Sequence, residues 1–115
     1  MRYEVSWHSN KNNKEHHLYG VYDSEEDDLF KYGISDKPIE EDGYSSRMRE
    51  QVDYLNRAVG WIRFFAKVLI KGIMGKGKAR KIEDEHVDDY RQKYGRNPRG
   101  NVNKTKKQRE EDGEI

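Results

Sequence analysis

Alternating apolar and polar residues predict three β-strands. The segments 17–23 (HLYGVYD) and 29–35 (LFKYGIS) alternate with a period of two residues on either side of the acidic stretch SEEDD, which is typical of a β-hairpin. The stretch 61–70 (WIRFFAKVLI) is the most apolar part of the chain and is rich in β-branched and aromatic residues. We therefore predict that it is the central strand of the sheet. One face of this strand carries Ile62, Phe64, Ala66, Val68 and Ile70.

Helical spacing and capping residues predict two α-helices. The first is capped by Ser45 or Ser46 and closed by Gly60. The second runs over about 78–94 and stops at Gly95. On the first helix, one apolar stripe consists of Met48, Val52, Leu55 and Val59.

The remaining segments define the domain organisation. A polar lead over 1–16 contains a candidate short strand at 2–7 (RYEVSW), and the basic, glycine-rich segment 71–78 (KGIMGKGK) is predicted to be a loop. Residues 104–115 have no apolar pattern and are expected to be disordered. The order β-β-α-β-α over 17–103 predicts a small α+β domain in which helices flank a three-stranded sheet.

Composition excludes several classes of protein. The chain has 115 residues, enough for one domain, and with 32% apolar and 39% charged residues its core must be thin. The absence of cysteine excludes disulfides and thiolate metal sites. No apolar run approaches the ~20 residues needed to span a bilayer, and the polar start has no signal-peptide pattern. We therefore expect no membrane association.

The charges are distributed unevenly along the chain. Residues 23–42 carry nine acidic residues against two lysines, whereas residues 60–109 carry fifteen Lys and Arg against five acidic residues. Such a basic half is typical of a phosphate-binding surface. A solvated charged surface is the alternative explanation.

Two glycines in the hairpin suggest that something approaches its backbone closely. If the apolar Tyr19 and Val21 pack inward, Tyr22 and Lys31 are left together on the other face, beside the backbone of Gly33. Bulges in the strands are the alternative explanation, and the hairpin taken alone favours it.

Glu83 interrupts the apolar stripe of the second helix. A carboxylate in such a position requires a partner, a proton or a metal ion. It can also lie at the edge of the stripe and pair with a lysine. The stripe consists of Ala79, Val87, Tyr90 and Tyr94.

These residues together resemble the GIY-YIG nuclease domain, over about 17–103. The resemblance rests on GVY at 20–22, KYGIS at 31–35, an arginine on the next helix, the spacing of Ala79 and Glu83, and a closing proline and asparagine in NPRGN. The chain is most similar to the URI-fold toxin domains at the C-termini of bacterial polymorphic toxins. It departs from the pattern in having a lysine where the second tyrosine belongs, and in the inserted DKPIEEDG.

The resemblance implies phosphodiester hydrolysis with one divalent metal ion, Mg²⁺ or Mn²⁺. Glu83 would hold the metal ion and Arg47 would brace the phosphate oxygens. Tyr22 would act on the attacking water, helped by the cations beside it. Lys31 would take that role instead or bind the scissile phosphate. Further contacts to the substrate are assigned to Gly33, Gln51, Lys76, Lys78 and Asn101.

The resemblance also implies partners and a delivery route. The substrate would be nucleic acid, with DNA favoured over RNA, and a cognate immunity protein would protect the producing cell. The domain would be secreted or delivered into the cytoplasm of a target cell. An RNase toxin, a catalytically inactive nucleic-acid-binding module of the same fold, and a structural domain are the alternatives.

Overall fold

The computed structural model describes residues 13–114, so the candidate strand at 2–7 lies outside the described part of the chain. The observed α+β order confirms the predicted fold class, with one additional short helix near the C-terminus. The elements are β1 (Glu15–Asp23), β2 (Asp28–Ser35), α1 (Ser46–Val59), β3 (Phe64–Met74), α2 (Lys76–Tyr94) and α3 (Lys106–Glu111).

The three strands form an antiparallel sheet in the order β2-β1-β3. The prediction that β3 is central is therefore wrong, and β1 is the central strand. Leu18, Tyr19 and Val21 of β1 are almost completely buried because both faces of this strand are covered. Phe65, on the edge strand β3, is 43% exposed. An apolar sequence alone does not separate these positions.

The two long helices cover opposite faces of the sheet. Leu18 packs with Ala79 of α2, whereas its neighbour Tyr19 packs with Met48 and Val52 of α1. Successive side chains of a strand point to opposite faces, so a helix on each side is needed to bury both.

A bulge divides the predicted apolar face of β3 between the two cores. Tyr19 pairs with Val68 but Leu18 pairs with Ile70, which leaves Leu69 as an extra residue. Val68 therefore packs on the α1 side and Ile70 on the α2 side.

Local capping groups fix both ends of α1. The Ser45 side chain accepts a hydrogen bond from the Met48 amide, and Gly60 closes the helix in the left-handed conformation with φ 83°. The predicted ends and the buried part of the stripe are confirmed, but Val59 is 39% exposed.

The segment predicted as the loop 71–78 is regular structure. Strand β3 continues through Met74, and Gly75 with φ 99° leads directly into α2 at Lys76. Lys76 and Lys78 therefore belong to the first turn of a helix, which ends at Tyr94 with Gly95 as its cap, as predicted.

Residues expected to be disordered contain the short helix α3. Thr105 caps it by accepting from the Gln108 amide and donates its own hydroxyl proton to Asp88 of α2, 2.7 Å away. Gln108 also exchanges two amide hydrogen bonds with Asn97. These polar contacts hold a segment that apolar periodicity cannot reveal.

Side chains from elsewhere in the chain bond backbone groups on both outer edges of the sheet. On β3, Asn56 bonds the backbone N–H and C=O of Phe64, and the Tyr44 hydroxyl accepts from the Ala66 amide. On β2, the side-chain amide of Asn101 bonds both the N–H and the C=O of Tyr32. Satisfying these groups removes positions at which another strand could add.

None of the helices within residues 13–114 has the length and apolar character needed to cross a lipid bilayer.

Candidate active site

The hairpin register places Lys31 on the face of Tyr19. Val21 pairs with Lys31 and Tyr19 with Gly33, and directly paired residues project to the same face. The prediction that Lys31 shares a face with Tyr22 is therefore wrong. The cause is a bulge at Phe30: a regular hairpin closed by the pair Asp23–Asp28 would pair Tyr19 with Tyr32, and the extra residue shifts the register by one.

Tyr22 lies in a different cleft. Its ring stacks on Phe65, with centroids 5.4 Å apart and an interplanar angle of 18°, and the Lys67 ammonium lies 5.2 Å from its centroid. This cleft of about 620 Å³ runs between the sheet and the C-terminal half of α2, where Tyr90 and Tyr94 line it. Burial raises the pKa of Tyr22. The structure does not bring this residue to the other predicted site residues.

Tyr19, rather than Tyr22, is the tyrosine that the hairpin register places on the same face as Lys31. It is 1% exposed, and its hydroxyl donates a 2.7 Å hydrogen bond to Oε1 of Gln51 on α1. Burial raises the pKa of Tyr19 to about 12, although the positive charge of Arg47 opposes the shift. The phenol therefore stays protonated at neutral pH and acts as a hydrogen-bond donor.

Gly33 is required by the Tyr19 ring. A Cβ atom at Gly33 would lie 2.4 Å from Cζ and from Oη of Tyr19. Gly33 is buried beneath this ring, so the expectation that its backbone is open to a substrate is wrong. Gly20 is likewise covered by the Tyr22 ring, 3.1 Å from where its Cβ would be.

Lys31 is half-buried and has no hydrogen bond or ion pair with any residue of the range 13–114. Burial is the main cause that lowers the pKa of Lys31, and the nearby charge of Arg47 lowers it further. Glu83 acts in the opposite direction. Lys31 therefore releases a proton more readily than an exposed lysine.

Glu83 is a half-buried carboxylate that faces the same neighbourhood from α2. Burial, followed by the charge of Asp84, raises the pKa of Glu83, while Lys31 and Arg80 lower it. Asp84 itself accepts a hydrogen bond from the Lys106 amide. Glu83 has neither a hydrogen bond nor an ion pair with another residue in 13–114, so its oxygens remain available to a ligand.

The donor set fits one hard divalent cation. Within the described range 13–114, no three His, Asp or Glu side chains come together as a metal-binding group. Mg²⁺ and Mn²⁺ are satisfied by one carboxylate plus several waters, and the cleft beside Glu83, about 1240 Å³, provides room for them. Glu83 is the carboxylate available for that purpose.

Arg47 lies at the rim of the same neighbourhood. Its side chain is 52% exposed and 4.0 Å from Glu50, and its charge acts on both Tyr19 and Lys31. Arg47 is one turn before Gln51 on α1, so one helical face supplies both residues.

Of the other predicted contacts, Asn101 lines the same cleft as Lys31 and Glu83. The side-chain amide of Asn101 is engaged with the Tyr32 backbone, where it supports the strand that carries Lys31. Lys76 and Lys78 are exposed on the first turn of α2, and neither lines the cleft beside Glu83. Their predicted contacts to a substrate stay predictions.

Sequence reasoning missed Tyr19 and a buried ion-pair network around Asp23. The Asp23 carboxylate accepts hydrogen bonds from Arg63 at 2.7 and 2.8 Å and from Arg99 at 2.8 Å. These bonds, led by those from Arg63, hold the pKa of Asp23 well below its usual range. Arg99 precedes Gly100, whose amide donates to the Phe30 carbonyl, so the network also holds the segment before Asn101 against β2.

Comparison with models of protein families identifies a family for most of the chain. The model of a family described as Tox-URI2, URI fold toxin 2, matches residues 9–95. Tyr19, Lys31, Arg47, Gln51 and Glu83 all lie within the matched range. The searches of curated proteins and of solved structures found no significant match.

Proposed function

Because the chain belongs to the URI fold toxin 2 family, we propose that it is a metal-dependent nuclease toxin that hydrolyses phosphodiester bonds of nucleic acid. One observation carries the proposal. Tyr19, Lys31, Arg47 and Glu83 come from four different elements, and the charges of Arg47 and Glu83 both influence the pKa values of Tyr19 and Lys31. Phosphodiester hydrolysis needs a positioned cation, a group that accepts a proton from water, and donors for the phosphate oxygens.

Each residue has a role that its environment favours. Arg47, exposed at the rim, presents a planar set of donors to the non-bridging oxygens of a phosphate. Tyr19 orients the attacking water through its hydroxyl oxygen, since its high pKa prevents it from acting as a base and its one proton is donated to Gln51. Lys31, whose pKa burial lowers, takes the proton from the attacking water. Gln51 holds the Tyr19 hydroxyl in place.

Glu83 would hold the divalent cation. When bound there, Mg²⁺ or Mn²⁺ neutralises charge on the phosphate and makes a water molecule more acidic. Partial burial of Glu83 favours this use, because a bound cation stabilises a carboxylate whose charged form burial disfavours.

Cleavage of plasmid DNA and of total RNA, with Mg²⁺, Mn²⁺ or EDTA, tests the proposal. Wild-type protein should cleave in the presence of metal, and Glu83→Gln, Arg47→Ala and Lys31→Met should each lose at least ~100-fold in activity. Tyr19→Phe, which removes one hydroxyl, should lose about 10- to 100-fold. Tyr22→Phe is the matched control and should keep wild-type activity. If Tyr22→Phe is inactive and Tyr19→Phe is active, the assignment of the tyrosine is wrong.

The same assay separates the remaining alternatives. DNA is our favoured substrate, and cleavage of RNA alone would instead identify an RNase toxin. A folded, metal-loaded protein that cleaves neither polymer but binds one of them would be an inactive binding module, and Lys31 in place of a tyrosine would then be the first residue to examine.

We also propose that the toxin acts inside a target cell after secretion or delivery, and that a cognate immunity protein protects its producer. An acidic surface on that partner would complement the basic half of the chain. Binding between the toxin and the product of a neighbouring open reading frame, with loss of cleavage, would support this.

A further inference from the structure

The short helix α3 is fixed against α2 next to Glu83. Asp88 of α2 accepts a hydrogen bond from the Thr105 hydroxyl at 2.7 Å, and Asp84 accepts one from the Lys106 amide at 3.3 Å. Thr105 is 3% exposed. Two acidic residues that follow the candidate metal ligand on α2 therefore hold the start of α3 in place.

Further contacts hold the other end of α3. Arg91 of α2 forms an ion pair with Glu111 at 2.9 Å, and Gln108 exchanges two amide hydrogen bonds with Asn97. The orientation of α3 relative to α2 is therefore set on both sides of its single turn and a half.

Cations from both helices line the cleft beside Glu83. Arg80 and Lys81 contribute from α2, and Lys106 and Lys107 contribute from α3. All four side chains are exposed, and none has an ion-pair partner within residues 13–114. Lys104, by contrast, is neutralised by Asp112 and Glu114.

We propose that α3 and α2 together form a clamp for the phosphodiester backbone of the substrate, to which α3 contributes Lys106 and Lys107 and α2 contributes Arg80 and Lys81. The clamp leads to Lys31 and Glu83, which line the same cleft. It rests on the proposed nuclease function and adds residues to it. Helix α3 lies beyond the range 9–95 that matches the toxin family, so this wall of the cleft comes from the chain's own C-terminal segment.

Unpaired cations along a cleft favour phosphate binding over a structural role. Each cation that contacts a phosphate releases counterions, so binding weakens as the salt concentration rises. Contacts of this kind carry no sequence information, and the clamp therefore fixes the position and direction of the strand. The scissile phosphate is then held where Arg47 and Lys31 act on it.

Fluorescence anisotropy with a labelled DNA duplex and with a labelled structured RNA tests the clamp. The full chain carries Glu83→Gln in every sample, so binding is measured without cleavage. Lys106→Ala/Lys107→Ala is compared with Arg80→Ala/Lys81→Ala. The matched control is Lys37→Ala/Lys71→Ala, which removes two exposed lysines from a separate cleft beside His16 and His17.

Each clamp variant should reduce the slope of log K against log salt by about 1.8, because two phosphate contacts are lost. If the variant and its parent bind equally at 1 M salt, this difference in slope corresponds to roughly thirtyfold weaker binding by the variant at 0.15 M salt. The control should bind within about twofold of the parent. Circular dichroism and the melting temperature, unchanged in all variants, show that α3 remains folded.

Two results would overturn the clamp. Wild-type-like binding by the Lys106/Lys107 pair would show that α3 is a solvated appendage. Equal weakening by the control would show that any basic residue of the surface matters equally. The nuclease proposal is tested separately, because cleavage by protein that retains Glu83 does not depend on either binding result.

Discussion

Replacing Gly33 by alanine tests the packing that fixes Tyr19. The added Cβ would lie 2.4 Å from Cζ and Oη of Tyr19, whereas ordinary contacts begin at 3.4 Å, so the ring must move by about 1 Å. The ring is buried, and its hydroxyl is bonded to Gln51. Overpacking costs ~1–3 kcal/mol, and a weakened buried hydrogen bond adds ~1 kcal/mol. In a strand, alanine is intrinsically more favourable than glycine by ~0.5–1 kcal/mol. The net loss in the free energy of unfolding is therefore ~1–3 kcal/mol.

Urea unfolding followed by circular dichroism measures this loss, and Gly77→Ala is the matched control. A Cβ at Gly77, in the first turn of α2, meets nothing within 4 Å. The same substitution should therefore stabilise the protein there, by ~0.5–1 kcal/mol. Gly33 lies in a strand and Gly77 in a helix, but alanine is intrinsically favoured over glycine in both, so opposite signs would show that the new methyl group at position 33 meets a steric obstacle.

A double-mutant cycle makes the attribution specific. In a Tyr19→Ala background the Gly33→Ala substitution should cost less than ~0.5 kcal/mol, since the atoms that it collides with are absent. The reasoning is refuted if Gly33→Ala unfolds within ~0.5 kcal/mol of wild type, or if it costs as much without the Tyr19 ring as with it.

Four further predictions follow from described contacts. Asp23→Asn should lower the free energy of unfolding by ~3–5 kcal/mol at pH 7, because it leaves two arginines without their carboxylate. Because the pKa of Asp23 is lower in the folded state than its ordinary value of 3.8, the charged Asp23 stabilises the protein fully above that pH and progressively less below it. The difference in unfolding free energy between wild type and Asp23→Asn should therefore narrow as the pH falls below about 4, as measured by urea titrations at several pH values. Glu83→Gln should behave in the opposite way. Burial raises the folded-state pKa of Glu83, so the charged carboxylate destabilises the folded protein. The unfolding free energy of the variant should therefore increase relative to that of wild type as the pH rises from about 4 to 7. Asn56→Ala removes three hydrogen bonds at the start of β3 and should cost ~1–3 kcal/mol in the same unfolding assay. Asn101→Ala should increase hydrogen exchange at the Tyr32 amide at least ~10-fold, and unchanged protection there would contradict the edge contact.

The parts of the fold that local chemistry determines could be predicted from the sequence. The order of elements, both ends of α1 and the C-terminal end of α2 depend on signals within a few residues, such as the Ser45 cap and the closing glycines at 60 and 95. The start of α2 has no side-chain cap, and its predicted position lies too late in the chain. The position of β1 at the centre of the sheet depends on which strands pair, and that is a property of the whole chain. The helix α3 depends on polar contacts such as that of Thr105 with Asp88, for which no periodic pattern exists.

In the candidate site, too, some features follow from nearby residues and others depend on how the strands pair. The structure brings the predicted Lys31, Arg47 and Glu83 into one neighbourhood, and their catalytic roles stay predictions. The structure places Tyr19 rather than Tyr22 on the face of Lys31, because the bulge at Phe30 exchanges the faces of β2 relative to β1. One cue was available in the sequence. Lys31 and Gly33 are two positions apart and therefore share a face of β2, so the tyrosine beside Lys31 must be the residue of β1 that pairs with Gly33. Only the strand register identifies that residue as Tyr19.

The closure of the sheet edges has a consequence for how the chain acquires its fold. The outer edge of β2 is covered by Asn101, 69 residues further along the chain than Tyr32, whereas the edge of β3 is covered by Asn56, only 8 residues before Phe64. During synthesis or refolding, β3 can therefore be closed early, but β2 stays open until everything through Asn101 has been made. An exposed strand edge is a site for aggregation. The segment that carries Asn101 thus acts as a solubility element. A chain cut short before Asn101 would lose α3 but keep the residues of α1, α2 and the sheet, and would assemble with itself through β2.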